Sequence, residues 1–135
     1  MRVDVLGVAF DNVTLDEAVD RGLELLEREG PHLVVTPNPE IVQRASKDPE
    51  FSEILSKADL VIPDGVGVIY AAKILGRPLK GRVPGIDFAS ALLDRVAGTG
   101  KRLFLLGAAP GIAEQAAVNL QLAHPGLVVC GTHDG

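Results

Sequence analysis

Val61-Ile62-Pro63-Asp64-Gly65-Val66-Gly67 is the stretch on which the reading of this chain turns. An apolar run stops at a proline, an aspartate follows, and two glycines flank a single valine. Val68, Ile69, Tyr70, Ala71 and Ala72 then continue with helical character. The pattern predicts a strand, a tight turn and a helix. It puts Asp64 at the carboxyl edge of a parallel sheet, where open α/β sheets form their ligand crevices. Two roles are open to its carboxylate at this point. It can serve as a general base or as a ligand to substrate or metal, or it can cap the helix that begins near Gly65 and Val66.

Outward from this stretch, short apolar runs alternate with helical ones. Arg2 to Leu6 reads as a strand, broken by Gly7, and Val8 to Phe10 as a second short strand or hairpin arm. Thr14 and Glu17 have the spacing of a capping box, followed by a helix that should stop near Gly30 and Pro31. Leu33 to Val35 and Leu60 to Ile62 read as buried strands, with helices around Ile41 to Ala45 and Phe51 to Leu55 between them. A helix from after Asp64 to about Leu75, another over Ile86 to Val96, a strand over Lys101 to Leu106, a helix over Gly111 to Ala123 and a last strand over Leu127 to Cys130 complete the order. This alternation predicts one α/β domain over residues 1–135, with a mostly parallel sheet flanked by helices and strands buried on both faces. Gly131 to Gly135 follow the last strand without a covering helix, so the chain is expected to be truncated at its C-terminus and to be the N-terminal part of a longer protein.

Composition narrows the classes of function. The 135 residues are 47% hydrophobic and 23% charged, which suits a folded domain with a real core and excludes general disorder. Aromatic residues make up 4%, with no Trp, so stacking platforms for single-stranded nucleic acid are not expected. The formal charge of −5 and the lack of a long basic tract disfavour binding through a nucleic-acid backbone. No apolar run reaches the ~18 residues that span a bilayer, and Arg2-Val3-Asp4 does not open a signal peptide. A cytosolic domain is expected, with peripheral membrane contact left open. Cys130 is the one cysteine and, ending an apolar run, reads as a buried thiol.

Other residues could share a site with Asp64. Thr36 and Asn38 follow the strand ending at Val35 and would emerge at the same sheet edge, offering a hydroxyl and an amide suited to sugar hydroxyls. Asn38 could equally cap the next helix, with Pro39 at its first position. Arg77, Lys80 and Arg82 form a local basic group, and Arg82, ahead of Val83-Pro84-Gly85, could fork onto phosphate oxygens or pair with Asp87. Gly107-Ala108-Ala109-Pro110-Gly111 joins a strand to a helix. Its small side chains would let backbone N–H groups approach an anion, though a tight turn explains it as well. His32 and His124 read as structural or solvent-facing. No zinc spacing and no serine-nucleophile elbow is present.

Taken together, these segments resemble the WecG/TagA/CpsF family of bacterial glycosyltransferases. The likeness runs through Asp4 to Val8, Asp11 to Thr14, Val35 to Glu40, Ala58 to Gly67, Arg82 to Asp87 and Phe104 to Gly111. It implies an α/β fold outside the usual glycosyltransferase folds. It also implies transfer of N-acetylmannosamine from a UDP donor to polyprenyl-diphosphate-linked N-acetylglucosamine, as in teichoic-acid synthesis, at the cytoplasmic face of the membrane. Members that transfer the related uronic acid share much of the pattern. On this resemblance Asp64 is the base. Thr36, Asn38, Arg82, Gly65 and Gly67 bind substrate, and Gly107, Ala108 and Gly111 are candidates for holding nucleotide or phosphate. No metal or other cofactor is implied, nucleic acid is not a partner, and a homo-oligomer is expected. A non-catalytic domain that binds nucleotide-sugars, or a structural domain whose polar turns are only caps, are the competing readings.

Overall fold

A hairpin opens the chain in the computed structural model, which describes residues 1–135. Strands β1 (Arg2–Val5) and β2 (Val8–Asp11) pair antiparallel with Val5 opposite Val8. That register leaves a two-residue turn in which Leu6 and Gly7 both have positive φ, at 53° and 92°. Primed turns of this kind match strand twist and need the left-handed region at both positions. Gly7 enters that region freely, whereas Leu6 pays for its Cβ. Asp4 steadies the turn by accepting the Gly7 N–H at 3.2 Å.

Residues 1–89 form one unit and 90–135 another. In the first, α1 (Leu15–Glu27) starts at the expected capping box: Thr14 accepts from Glu17 N–H, and the Glu17 carboxylate accepts from Thr14 N–H. Strand β3 (Val34–Val35) leads to α2 (Pro39–Lys47) and α3 (Pro49–Ser56), and β4 (Leu60–Val61) leads to α4 (Val66–Ile74). Both α2 and α3 begin with proline at the first position behind a side-chain cap, Asn38 and Asp48. Strands β3 and β4 are parallel, pairing Val34 with Leu60 and Val35 with Val61. Val5, Phe10, Val42, Leu55, Val61 and Ala72 are part of the core between the hairpin, β4 and helices α2 to α4.

Asp11 ties this unit together. Its carboxylate is almost fully buried, with the residue 2% exposed. One oxygen accepts the Val61 N–H at 2.7 Å, and the other receives Arg21 at 2.9 Å and Arg2 Nε at 3.4 Å. Arg2 also donates to the carbonyls of Ser56 and Ala58 at the end of α3. The hairpin, α1, α3 and β4 are thus joined through one side chain.

Helix α5 (Gly85–Val96) crosses the division between the units. In the second unit, β5 (Arg102–Leu106) and β6 (Val128–His133) are parallel, connected by α6 (Ile112–Ala123). His124, 5% exposed, closes α6 and holds Asp94 at 2.5 Å, a structural role as expected.

Three expectations change. The strands are assigned to three two-stranded ladders, one antiparallel and two parallel, rather than to one mostly parallel sheet. Burial on both faces holds for β4 but not for β5, where Phe104 is 54% and Leu106 76% exposed. The last strand runs on to His133, and Cys130 is exposed rather than buried. The physical reason is that β6 pairs in a two-stranded ladder and Cys130 alternates onto the same exposed face as Val128; a bulge also falls here, Leu103 pairing with Val129 but Phe104 with Gly131. A side chain at Gly131 would collide with the Phe104 ring, its Cβ falling 2.7 Å from Cε2.

Asp11→Ala should destabilise the chain by about 1–3 kcal/mol, chiefly because it leaves the buried Val61 N–H without its acceptor; urea unfolding at neutral pH reads this. Leu6→Asn should stabilise it by about 1 kcal/mol, because asparagine tolerates the left-handed region, and a rise in urea midpoint at constant m-value is the measure.

Candidate functional site

The elements of the first unit bring three chain segments to one place. The ends of the parallel strands β3 and β4 put Thr36–Pro39 beside Ile62–Gly67, and the ladder extends past β4 through Ile62 N–H to the Val35 carbonyl at 2.9 Å. Pro37 and Pro63, both fully buried, set these two exits rigidly. The third segment is the loop ahead of α5. Lys80 anchors it: its N–H donates to Asn12 at 2.7 Å, and its ammonium holds both Glu17 oxygens at 2.9 Å. The hydrogen bond from Lys80 and that from Thr14 N–H keep the Glu17 carboxyl below its ordinary value. Val83, buried, then donates its N–H to the Pro63 carbonyl at 2.9 Å.

Asp64 stands where these segments meet. It does not cap α4, whose N-cap is Gly65 at φ 95° with no side-chain bond. Its Oδ2 instead accepts the N–H of Gly85, the first residue of α5, at 3.1 Å. Its Oδ1 lies 3.9 Å from Arg82 Nε, the two side chains being 29% and 49% exposed. At that distance and exposure the pair adds little stability, and both groups stay accessible. Arg82 thus faces Asp64, and of the basic group only Lys80 is held by an acid at another place.

Glycines allow the close approach. A Cβ on Gly85 would sit 3.1 Å from Thr36 Cγ2 and 3.3 Å from its Oγ1. One on Gly65 would sit 3.2 Å from Pro39 Cδ and 3.8 Å from Asn38 Cβ, and one on Gly67 only 2.7 Å from Pro39 Cγ. Thr36, Asn38, Asp64, Gly65, Gly67 and Arg82 are therefore gathered around the N-terminal ends of α2, α4 and α5. Each of those helix ends carries partial positive charge. Asn38 caps α2, its Oδ1 accepting the Ile41 N–H at 3.0 Å, which leaves its amide N–H groups for another partner. Beside this cluster is an apolar cavity of about 360 Å³ lined by Val5, Leu6, Pro39, Val42, Gly67 and Ala71, among others.

Gly107, Ala108 and Gly111 belong to the second unit. There, the Gly107 N–H is already used by the His133 carbonyl at 2.8 Å, and the Ala108 carbonyl accepts from Gly135. Ala108 has φ 66° between Gly107 at 121° and Gly111 at 88°, a strained turn into α6.

Sequence reasoning missed Gly85, which presents the N–H to Asp64, and Pro39 as the surface against which Gly65 and Gly67 pack. Pro84-Gly85 ahead of a helical run carried a signal for a special backbone position, but not for its partner. Asn12 and Glu17, which hold the loop through Lys80, are separated from it by more than sixty residues, a pairing that no local pattern encodes.

Residues 3–135 match the model of the glycosyl transferase WecG/TagA/CpsF family. Among curated proteins, the chain is 37% identical over 102 residues to an N-acetylglucosaminyldiphosphoundecaprenol N-acetyl-beta-D-mannosaminyltransferase of Bacillus spizizenii, covering 76% of this chain and 40% of that protein. It is 33% identical over 134 residues to the protein of the same description from Staphylococcus aureus, covering 98% of this chain and 53% of the relative. The chain thus spans about half the length of these relatives.

Asn38→Asp keeps a capping oxygen and removes the amide donors. Stability should therefore stay within about 0.5 kcal/mol of the parent, as thermal unfolding would record.

Proposed function

Because the chain belongs to the glycosyl transferase WecG/TagA/CpsF family, we propose that it forms the catalytic part of a UDP-sugar-dependent glycosyltransferase of cell-wall polymer synthesis. The donor is UDP-N-acetylmannosamine and the acceptor polyprenyl-diphosphate-linked N-acetylglucosamine; in support, the Bacillus and Staphylococcus relatives are described as transferring an N-acetylmannosaminyl group to N-acetylglucosaminyldiphosphoundecaprenol. The observation that carries this reading is the meeting of one accessible carboxylate, Asp64, with the Arg82 guanidinium at the converging helix ends.

In this reading, Asp64 takes the proton of the acceptor hydroxyl as its oxygen attacks the anomeric carbon of the donor. The new glycosidic C–O bond forms while the bond from that carbon to the diphosphate breaks, and UDP leaves with the electron pair. A base within about 3 Å of the hydroxyl can supply 10²–10⁴-fold. The Gly85 N–H fixes one carboxylate oxygen and leaves the other, on the Arg82 side, to face substrate. Arg82 supports the charge that grows on the leaving diphosphate, a role suited to a planar, permanently charged fork. Thr36 and the amide of Asn38 orient sugar hydroxyls, and Gly65 and Gly67 keep the backbone low enough for a sugar to approach. The Gly107–Gly111 turn is a second candidate for the nucleotide or its phosphates. The acceptor is a membrane lipid, so the protein works at the inner membrane surface, and as a homo-oligomer.

The test is transfer from UDP-N-acetylmannosamine to a short-chain polyprenyl-diphosphate acceptor, by the chain alone and extended to the length of its relatives. Asp64→Asn should lower kcat about 10²–10⁴-fold with donor affinity changed less than about threefold. Near-normal turnover would remove Asp64 as the base. Donor binding by the wild type with no transfer at either length would favour a binding domain.

A further inference from the structure

Two neighbouring side chains at the end of β2 hold the two arms of the candidate site. Asp11 Oδ2 accepts the Val61 N–H, three residues ahead of Asp64. Asn12 Oδ1 accepts the Lys80 N–H at 2.7 Å, two residues ahead of Arg82. Adjacent Cα atoms are about 3.8 Å apart, so one short piece of backbone carries both holds. That piece is itself secured. The Asn12 N–H donates to the Met1 carbonyl at 3.1 Å, and Val13 behind it is buried.

The placement of Arg82 depends on this support. Its side chain is half exposed, and the 3.9 Å to Asp64 is beyond hydrogen-bond length. The backbone therefore does most to set where the guanidinium stands. Past Arg82, the Val83 and Gly85 N–H groups tie the chain to Pro63 and Asp64. Ahead of it, Leu79 is buried and Gly81 borders open space, so Lys80 is the last fixed point. Two contacts hold Lys80, with unequal weight. Its ammonium pairs with Glu17, but both side chains are 47% exposed and the charge rides on a flexible four-carbon stem, so that pair adds little. The contact with Asn12 acts on the backbone itself. It is also exposed, so water can replace it at small cost to folding, and its consequence is for placement more than for stability.

We propose that Asn12 is a positioning residue of the site: by holding the Lys80 N–H it sets where Arg82 stands against Asp64. Asp11 and Asn12 then act as a caliper, one fixing the arm with the carboxylate and the other the arm with the cation. The inference rests on the roles given above to Asp64 and Arg82. A shift of about 1 Å in a charged group can cost up to 10²-fold in rate. The loss belongs in kcat, because Arg82 meets charge that grows only as the diphosphate leaves.

Amide hydrogen exchange tests the placement without substrate. In Asn12→Ala, exchange should quicken about tenfold at Lys80 and also at Val83 and Gly85, with circular dichroism unchanged. Transfer from UDP-N-acetylmannosamine, by the chain extended to the length of its relatives, tests the consequence. Asn12→Ala should lower kcat about 10–100-fold with donor KM within about threefold. Asn12→Asp, which keeps an accepting oxygen, should restore kcat to within about threefold of wild type. In an Arg82→Ala background, Asn12→Ala should cost less than about twofold more, because both changes remove the same contribution. Faster exchange at Lys80 alone, losses that multiply in the double variant, or no rescue by Asn12→Asp overturns the proposal. Wild-type kcat in Asn12→Ala beside an impaired Arg82→Ala overturns it while leaving the role of Arg82 intact. Wild-type kcat in Arg82→Ala removes that role first, and this inference with it.

Discussion

A buried carboxylate organises the first unit. Asp11 carries its charge into a nearly water-free place, and such a charge persists only when its partners are complete. They are supplied by Arg2 from its own hairpin, Arg21 from α1 and the backbone N–H of Val61 from β4. The last bond matters most for function. It fixes the strand three residues ahead of Asp64, so the position of the candidate base is set by a side chain more than fifty residues earlier.

The site is built from strand ends and one secured loop. Two buried prolines stiffen the exits of β3 and β4, and a chain of contacts through Asn12, Glu17, Lys80 and Val83 draws the third segment against Pro63. Rigid support of this kind is what a base and a cation need if they are to meet a substrate without reordering first. Glycine at 65, 67 and 85 is what lets the segments close to contact: at 67 a side chain would collide with the Pro39 ring, and at 65 and 85 it would press against Pro39 and Thr36.

Much of the local structure was legible because its determinants are local. The Thr14–Glu17 box, the Asn38-Pro39 start and the strand-turn-helix around Asp64 each depend on residues a few positions apart, and each is present. Failures came where a distant partner decided. Cys130 lies in an apolar run that reads as buried, but pairing with β5 forms only a two-stranded ladder, and Cys130 falls with Val128 on its exposed face. Asp64 had the spacing of a cap for α4, yet its carboxylate reaches the start of α5. The exposed face of α4 was equally hidden, since an apolar run has no phase to mark which side meets water.

By itself the sequence determined the order of strands and helices, the segments that carry polar groups at their ends, and the family to which the chain belongs. Periodicity, capping and turn chemistry act over a few residues, and the motifs keep their order along the chain. Tertiary structure alone decided that Arg82 faces Asp64 while Lys80 turns away to Glu17, that Gly85 rather than Gly65 supplies the N–H to the carboxylate, and that α4 leaves Tyr70 and Ile74 in the open. These are choices among partners of similar chemistry. They are settled by which backbone groups the fold leaves near one another, a property that no short stretch of chain contains.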